Sequence, residues 1–429
     1  MQRMLNAMKI NCDLSHTFLE ADLGAYQPQL DEIHQRLHQG QTPNTSWVTY
    51  PEDIAPELVQ AIMDTADAIR RRYSAFVVIG IGGSYLGAKA GLELLQSPFH
   101  NEYHAKRENV PRIYFAGHHL SSIYYQELMK ILADEEVAVC VISKSGSTLE
   151  PMVVFEVFKQ FLQEKYGEAA SEHIYAIADG QHGALHEEAL REGYTTFSVP
   201  ENIGGRYSVL TPVGLLPLAV GGIDIRRVLA GARQAQAHYS AALIAQNDCY
   251  RYGLTRYLLE KQGKTMEIFE VYDGELRYFT EWLKQLFGES GCKDGRGIFP
   301  ASLQMSTDLH SMGQFLQEGR QNFFETAVVV DHVCNDFPLP RRYGENQVAT
   351  MHDLNNVIQN SVRSAHAVNK TPNIIITLPN ISPESFGQMV YFFEKACAVS
   401  CYLDGVEPFD QPGVEAYKAN IKKTLHIEK

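Results

Sequence analysis

The sequence predicts an α/β protein of two units, each a parallel sheet wrapped by helices on both faces. Three observations carry that expectation. From about residue 75, short β-rich apolar runs alternate with helical stretches. The same alternation resumes after about residue 225, and a chain of 429 residues is long enough for two or three domains.

Residues 1 to about 70 read as a polar, helical, peripheral region. The run Ala75-Phe-Val-Val-Ile-Gly-Ile81 then ends in glycines, as a buried parallel strand does before its helix. Further strands are expected at Arg112–Ala116, Val137–Ile142, His173–Ala178 and Thr195–Val199, with helices at Ser121–Leu132, Leu149–Lys165 and Ala184–Glu192 between them. In the second unit the strands are Thr265–Val271, Glu325–Asp331 and Asn373–Leu378. Its helices are Gly274–Phe287, Thr307–Glu318, His352–Ala367 and Pro383–Tyr402, and a last helix near Val414–His426 closes the molecule. The expected division is therefore 1–70, 71–210, 211–403 and 404–429.

Composition narrows the function. Hydrophobic content of 45% and charged content of 21% are globular values. A formal charge of -14 repels duplex nucleic acid and anionic membranes, so an anionic small substrate needs a locally positive pocket. The longest apolar stretch, Pro212–Ile223, is too short and too broken by proline and glycine to span a bilayer. The opening residues show no apolar core of signal-peptide length, and the seven cysteines lack metal or disulfide spacing, so a cytoplasmic protein is expected.

Six segments could carry chemistry. Gly80-Ile-Gly-Gly-Ser-Tyr-Leu-Gly87 joins the first strand to a helix, where backbone N–H groups can meet an anion. Tyr85 stands where the dinucleotide fingerprint needs its third glycine, which weakens a nicotinamide-dehydrogenase reading. Ser143-Lys-Ser-Gly-Ser-Thr-Leu-Glu-Pro151 packs four hydroxyls and an ammonium ahead of a helix, a composition suited to a sugar phosphate. Its blander use would be capping by Ser147 or Thr148. In Gly204-Gly-Arg-Tyr-Ser208 a buried Arg206 would require an anionic partner, whether a ligand or a structural carboxylate.

The glycine-rich stretch Gly288–Gly297 reads as a loop after a helix, and it places Glu289 as a candidate general base. Ser306-Thr-Asp-Leu-His-Ser311 puts His310 in the first turn of a helix, whose dipole favours a neutral imidazole. Phe409-Asp-Gln-Pro-Gly-Val-Glu-Ala-Tyr-Lys418 places Lys418 near a helix start. The pairs His100/His104 and His182/His186 read as solvated faces, and Cys397 with Cys401 reads as core packing.

Taken together and in this order, these segments closely resemble the glucose-6-phosphate isomerase family in its bacterial form, from about residue 75 to residue 420. The resemblance implies two sugar-isomerase (SIS) domains and reversible aldose–ketose isomerisation through a cis-enediol(ate), with no cofactor and no metal. By matching position it makes Glu289 the base between C2 and C1, His310 the ring-opening histidine, Lys418 its partner and Arg206 the charge beside the enediolate. Gly83, Ser84, Ser143, Lys144, Ser145 and Thr148 match substrate- and phosphate-binding positions, and Gln411 matches a substrate contact. In the family the ring-opening histidine comes from the neighbouring subunit, so a homodimer with shared sites is implied. Ser147 and the Ser-Gly-Cys after Glu289 depart from the usual pattern and are expected to touch no catalytic group. A sugar-phosphate sensor would keep the hydroxyl-rich turn without needing Glu289, His310 and Lys418 together. Side activity on mannose 6-phosphate stays open.

Overall fold

The computed structural model describes residues 9–40, 42–103, 109–340 and 348–425. His104 and His426 lie outside these residues. Among them the strands are β1 (Asn11–His16), β2 (Ala75–Ile79), β3 (Arg112–Ala116), β4 (Val137–Ile142), β5 (Ile174–Asp179), β6 (Thr195–Val199), β7 (Met266–Val271), β8 (Phe299–Gln304), β9 (Phe323–His332) and β10 (Asn373–Asn380). They form two five-stranded sheets, in the orders β3-β2-β4-β5-β6 and β1-β10-β9-β7-β8.

The first sheet is parallel throughout. Every residue of β2 and β4 is buried, as expected for central strands covered on both faces, while the edge strand β6 exposes three of its five residues. The chain passes from β2 outward to β3, then returns to place β4 on the other side of β2. Such a reversal opens a crevice at the carboxyl ends of β2 and β4, where ligands of open α/β sheets bind.

The second sheet is parallel except for β1, which runs antiparallel to β10. Two of its strands differ from the sequence expectation. Asn11–His16 lies in the region expected to be helical, and Phe299–Gln304 is absent from the expected strands. Both are edge strands, so neither needs a continuous apolar run. Pro300 is tolerated in β8 because that strand pairs only with β7.

Helix Pro383–Leu403 is the central support, buried continuously from Ser385 to Cys401 and packed against Ile225–His238, Asp248–Lys261 and Arg277–Gly291. Arg277–Gly291 also packs on Leu86–Leu95 of the first unit and so joins the two sheets. No helix among the described residues is long and apolar enough to cross a membrane. All seven cysteines are unbridged, and Cys397 and Cys401 are buried.

Candidate functional site

An open cleft of about 550 Å³ lies at the β2/β4 reversal. Ser84 follows β2; Ser143, Lys144, Ser145 and Thr148 follow β4; Asp179 ends β5, and His182 and Gly183 follow it; Gly205 and Gln411 close the far wall. The turn after β4 is held by its own hydroxyls. Ser143, buried, accepts the Gly146 N–H at 3.1 Å, and Ser145 Oγ lies 2.8 Å from Ser147 Oγ. Thr148 occupies the N-cap of helix Leu149–Tyr166, yet its side chain makes no capping bond. Capping therefore does not account for this hydroxyl. A cleft-facing hydroxyl and the unpaired N–H groups of a helix start together favour an anion.

Lys144 differs from its expected placement. Its ammonium is turned onto the carbonyls of Glu201 (2.6 Å), Ile203 (3.2 Å) and Pro200 (3.4 Å), and burial holds its pKa below the usual lysine value. It clamps the segment leading to Arg206 while the residue itself lines the cleft. Asp179 orders the facing loop by accepting the N–H groups of Gln181 and His182 at 3.0 and 3.1 Å, and these bonds hold its carboxyl below the usual range. His182 is exposed, as read from sequence, and lines the cleft.

Arg206 forms the second half of the site. Only 3% exposed, it makes five hydrogen bonds. Nε donates to Ser290 Oγ (2.8 Å), Nη1 to Glu289 Oε2 (3.2 Å) and Gln411 Oε1 (2.8 Å), and Nη2 to the carbonyls of Pro408 (2.5 Å) and Asp410 (3.0 Å). One guanidinium thus ties together the segments around residues 206, 289 and 410. Glu289 Oε1 accepts from Gln285 Nε2 at 3.2 Å, and its side chain remains 37% exposed.

Two sequence expectations change here. Glu289 is in the last turn of helix Arg277–Gly291 and not on a loop, because the helix runs through Gly288. Gln285, four residues earlier, is consequently its neighbour; helical spacing reveals it once the helix is carried through the glycines. Ser290, expected to touch no catalytic group, bonds directly to Arg206.

The glycines of the two loops do different work. A Cβ on Gly83 would lie 2.1 Å from the Gly205 carbonyl oxygen, so Gly83 is where the β2 loop packs on the Arg206 loop. A Cβ on Gly205 would meet nothing within 4 Å, and that residue faces the cleft.

His310 and Lys418 are not brought to this centre. His310 is exposed at the end of the 3-10 turn Thr307–Leu309, and its ring makes no hydrogen bond, ion pair or ring contact among the described residues. The α-helix starts only at Gly313, so the dipole expected to act on His310 is absent. Asp308 shapes this turn by accepting the Gln304 N–H at 2.7 Å and the Ser311 hydroxyl at 2.9 Å. Lys418, on helix Glu415–Thr424, pairs with Glu415 Oε1 at 3.0 Å.

The phosphoglucose isomerase family pattern matches residues 63–326. A glucose-6-phosphate isomerase of Acetivibrio thermocellus is 46% identical over 399 residues, covering 91% of this chain and 89% of the relative. Another, of Symbiobacterium thermophilum, is 46% identical over 93% of this chain and 92% of its own. Among solved structures, a hypothetical protein from Thermus thermophilus superposes with a TM-score of 0.84 at 29% identity, covering 97% of this chain and all of the other. A glucose-6-phosphate isomerase from Chlamydia trachomatis gives 0.79 at 21% identity, over 97% of this chain and 88% of its own, a likeness of fold.

Proposed function

Because this chain belongs to the phosphoglucose isomerase family, we propose that the β2/β4 cleft holds the sugar phosphate and that Glu289 and Arg206 perform the proton transfer. The protein is an aldose–ketose isomerase that interconverts glucose 6-phosphate and fructose 6-phosphate in glycolysis. The observation that supports the site reading is the 3.2 Å contact between buried Arg206 and the part-exposed Glu289, joined through Gln411 to a hydroxyl-lined cleft.

A proton α to a carbonyl is weakly acidic, so a base needs a positive group where the enediolate charge develops. A positioned donor of that kind contributes about 10²–10³ in rate. Glu289 removes and returns the proton between C2 and C1 on one face of the sugar, and Arg206 carries the permanent charge. Ser84, Ser143, Ser145 and Thr148 hold the phosphate, whose binding energy fixes C1 and C2 at the carboxylate. Gln411, oriented by Arg206, faces the sugar, and Lys144 and Gly83 position the loops around it.

Ring opening needs an acid–base pair. We assign it to His310 and Lys418, with His310 supplied by a second copy of the chain in a cytoplasmic homodimer. The exposed ring of His310, without a partner among the described residues, agrees with a residue that serves a neighbour's site.

The test is conversion of fructose 6-phosphate to glucose 6-phosphate by wild type and Glu289→Gln, with binding of 6-phosphogluconate as the control for folding. A loss of several orders of magnitude in a variant that still binds supports the assignment. Equal turnover removes Glu289 as the base, and an inactive wild type that binds the ligand favours a sugar-phosphate sensor.

A further inference from the structure

Outside the cleft, the least satisfied polar cluster lies in the second sheet beneath helix Met351–Val368. Strand β7 carries two fully buried carboxylates on opposite faces. Glu267 receives three donors: Tyr252 Oη (2.5 Å), Arg256 Nε (2.5 Å) and Thr326 Oγ1 (2.7 Å). Glu270 has none, and both of its oxygens are buried without a hydrogen-bond partner.

Beside Glu270 stand Glu325 of β9 and His366 of the helix's last turn, 0% and 4% exposed. One ligand atom from each of the three side chains lies within 4.8 Å of the others. His366 Nδ1 and Glu325 Oε1 are 2.8 Å apart, yet neither has a hydrogen bond of acceptable alignment. Asn373, 4% exposed, donates through Nδ2 to Glu325 Oε2 at 3.1 Å, which leaves its buried carbonyl Oδ1 without a partner. The guanidinium of Arg363 on the same helix is bonded to the side chains of Gln359 and Asn360 while its charge also acts on Glu270, and the buried Tyr272 hydroxyl, without a hydrogen-bond partner, stands near the same two carboxylates.

Acceptors therefore outnumber donors at a place closed to water. Two carboxylates facing each other there cannot both be ionised without a cation or a shared proton between them. We propose that Glu270, Glu325 and His366 form a structural site for one divalent transition-metal ion, zinc or manganese, with Asn373 Oδ1 as a fourth donor. An imidazole nitrogen with carboxylate oxygens suits these ions better than magnesium or calcium. Full burial leaves no open coordination position, so the site holds structure and takes no part in isomerisation. Its role follows from the helix it anchors. Gln359 and His366 are the only fully buried residues of Met351–Val368, so an ion bridging the helix to β7 and β9 supplies attachment that an apolar stripe would otherwise give. The ligands come from three elements far apart in sequence, which explains why no metal spacing is visible there.

The test uses the full chain, stripped with a chelator, re-equilibrated with zinc or manganese chloride and passed through gel filtration. Retention of about one ion per chain, with a rise in melting temperature over the stripped protein, is expected for a structural site. Glu270→Gln and His366→Asn should each weaken binding by more than about tenfold, a loss at least as large as removing an outer-shell partner produces, while Glu415→Gln, on the surface, leaves it unchanged. The wild-type measurement decides by itself if the buried variants fail to fold. Substoichiometric retention with an unchanged melting temperature overturns the site and leaves a proton shared by the two carboxylates. Undiminished binding in both folded variants overturns it as well.

Discussion

Arg206→Lys separates the charge of Arg206 from its geometry. Arginine satisfies five acceptors from two other segments of chain, whereas an ammonium has three protons to donate. At least two of the five lose their partner; a buried orphan costs about 1–3 kcal/mol, whereas the part-exposed Glu289 and exposed Gln411 can turn to water, so the variant should be less stable by about 1–3 kcal/mol. Catalysis falls for a different reason. The ammonium keeps the positive charge but cannot stay in line with both Glu289 and Gln411, so kcat should drop by about 10²–10³. KM should change by less than about threefold, because in the proposed site hydroxyls on the opposite wall of the cleft hold the phosphate and a contact made only in the transition state appears in kcat. Glucose 6-phosphate formation, coupled to a dehydrogenase and followed by absorbance, gives both constants, and urea unfolding gives the stability. A kcat within about threefold of wild type would refute a role for the guanidinium in holding the reacting groups.

Other substitutions divide the site into its parts. Gly83→Ala puts a methyl carbon onto the Gly205 carbonyl and should cost about 1–3 kcal/mol in chemical denaturation, whereas Gly205→Ala should leave stability alone and raise KM by crowding the cleft. Lys144→Met frees the carbonyls of residues 200–203 and should lower kcat by about tenfold with KM nearly unchanged, and a large rise in KM at constant kcat would instead make Lys144 a phosphate ligand. Buried Lys395, facing His38 Nε2 and the Tyr239 carbonyl, has its pKa lowered by burial to about 8. Between that pH and about 10.4 the unfolded chain holds the extra proton, so stability from this group rises with pH by about 3 kcal/mol and is flat below pH 8. Lys395→Met should abolish that rise in urea unfolding measured at several pH values.

The first sheet is legible because its strands are buried on both faces and say so in unbroken apolar runs. Three of its strands, β3, β4 and β6, begin and end where the residues predict. What escapes a reading of the residues lies at edges and ends, where fewer contacts constrain the side chains. Asn11–His16 is a polar strand with one neighbour, and Phe299–Gln304 contains a proline. Glycine misleads near the site. Gly288 and Gly291 suggest the end of a helix that in fact continues through them, which hides Gln285 beside Glu289. The motif residues themselves stand out as local clusters, but the bonds from Arg206 to the carbonyls of Pro408 and Asp410 span about half the chain and involve backbone atoms with no residue signature.

The separation of the site into two groups has a chemical logic. Glu289, Arg206, Gln411 and the hydroxyl turn come together within one chain, and in the proposed mechanism these move the proton along an open-chain sugar phosphate. His310 and Lys418 stand apart from them, and their proposed work is on the ring oxygen, a step that precedes the proton transfer. Arg206 has no freedom to travel between the two steps, because all five of its bonds are spent on holding the helix end that carries Glu289 and the segment that carries Gln411. Whatever adapts to a cyclic and then a linear substrate must therefore be on the less constrained side. The exposed ring of His310 and the surface-paired ammonium of Lys418 are the groups with that latitude. In the proposed mechanism a fixed enediolate centre faced by less constrained ring-opening groups lets one phosphate anchor serve both steps, since only the groups at the far end of the sugar would have to move.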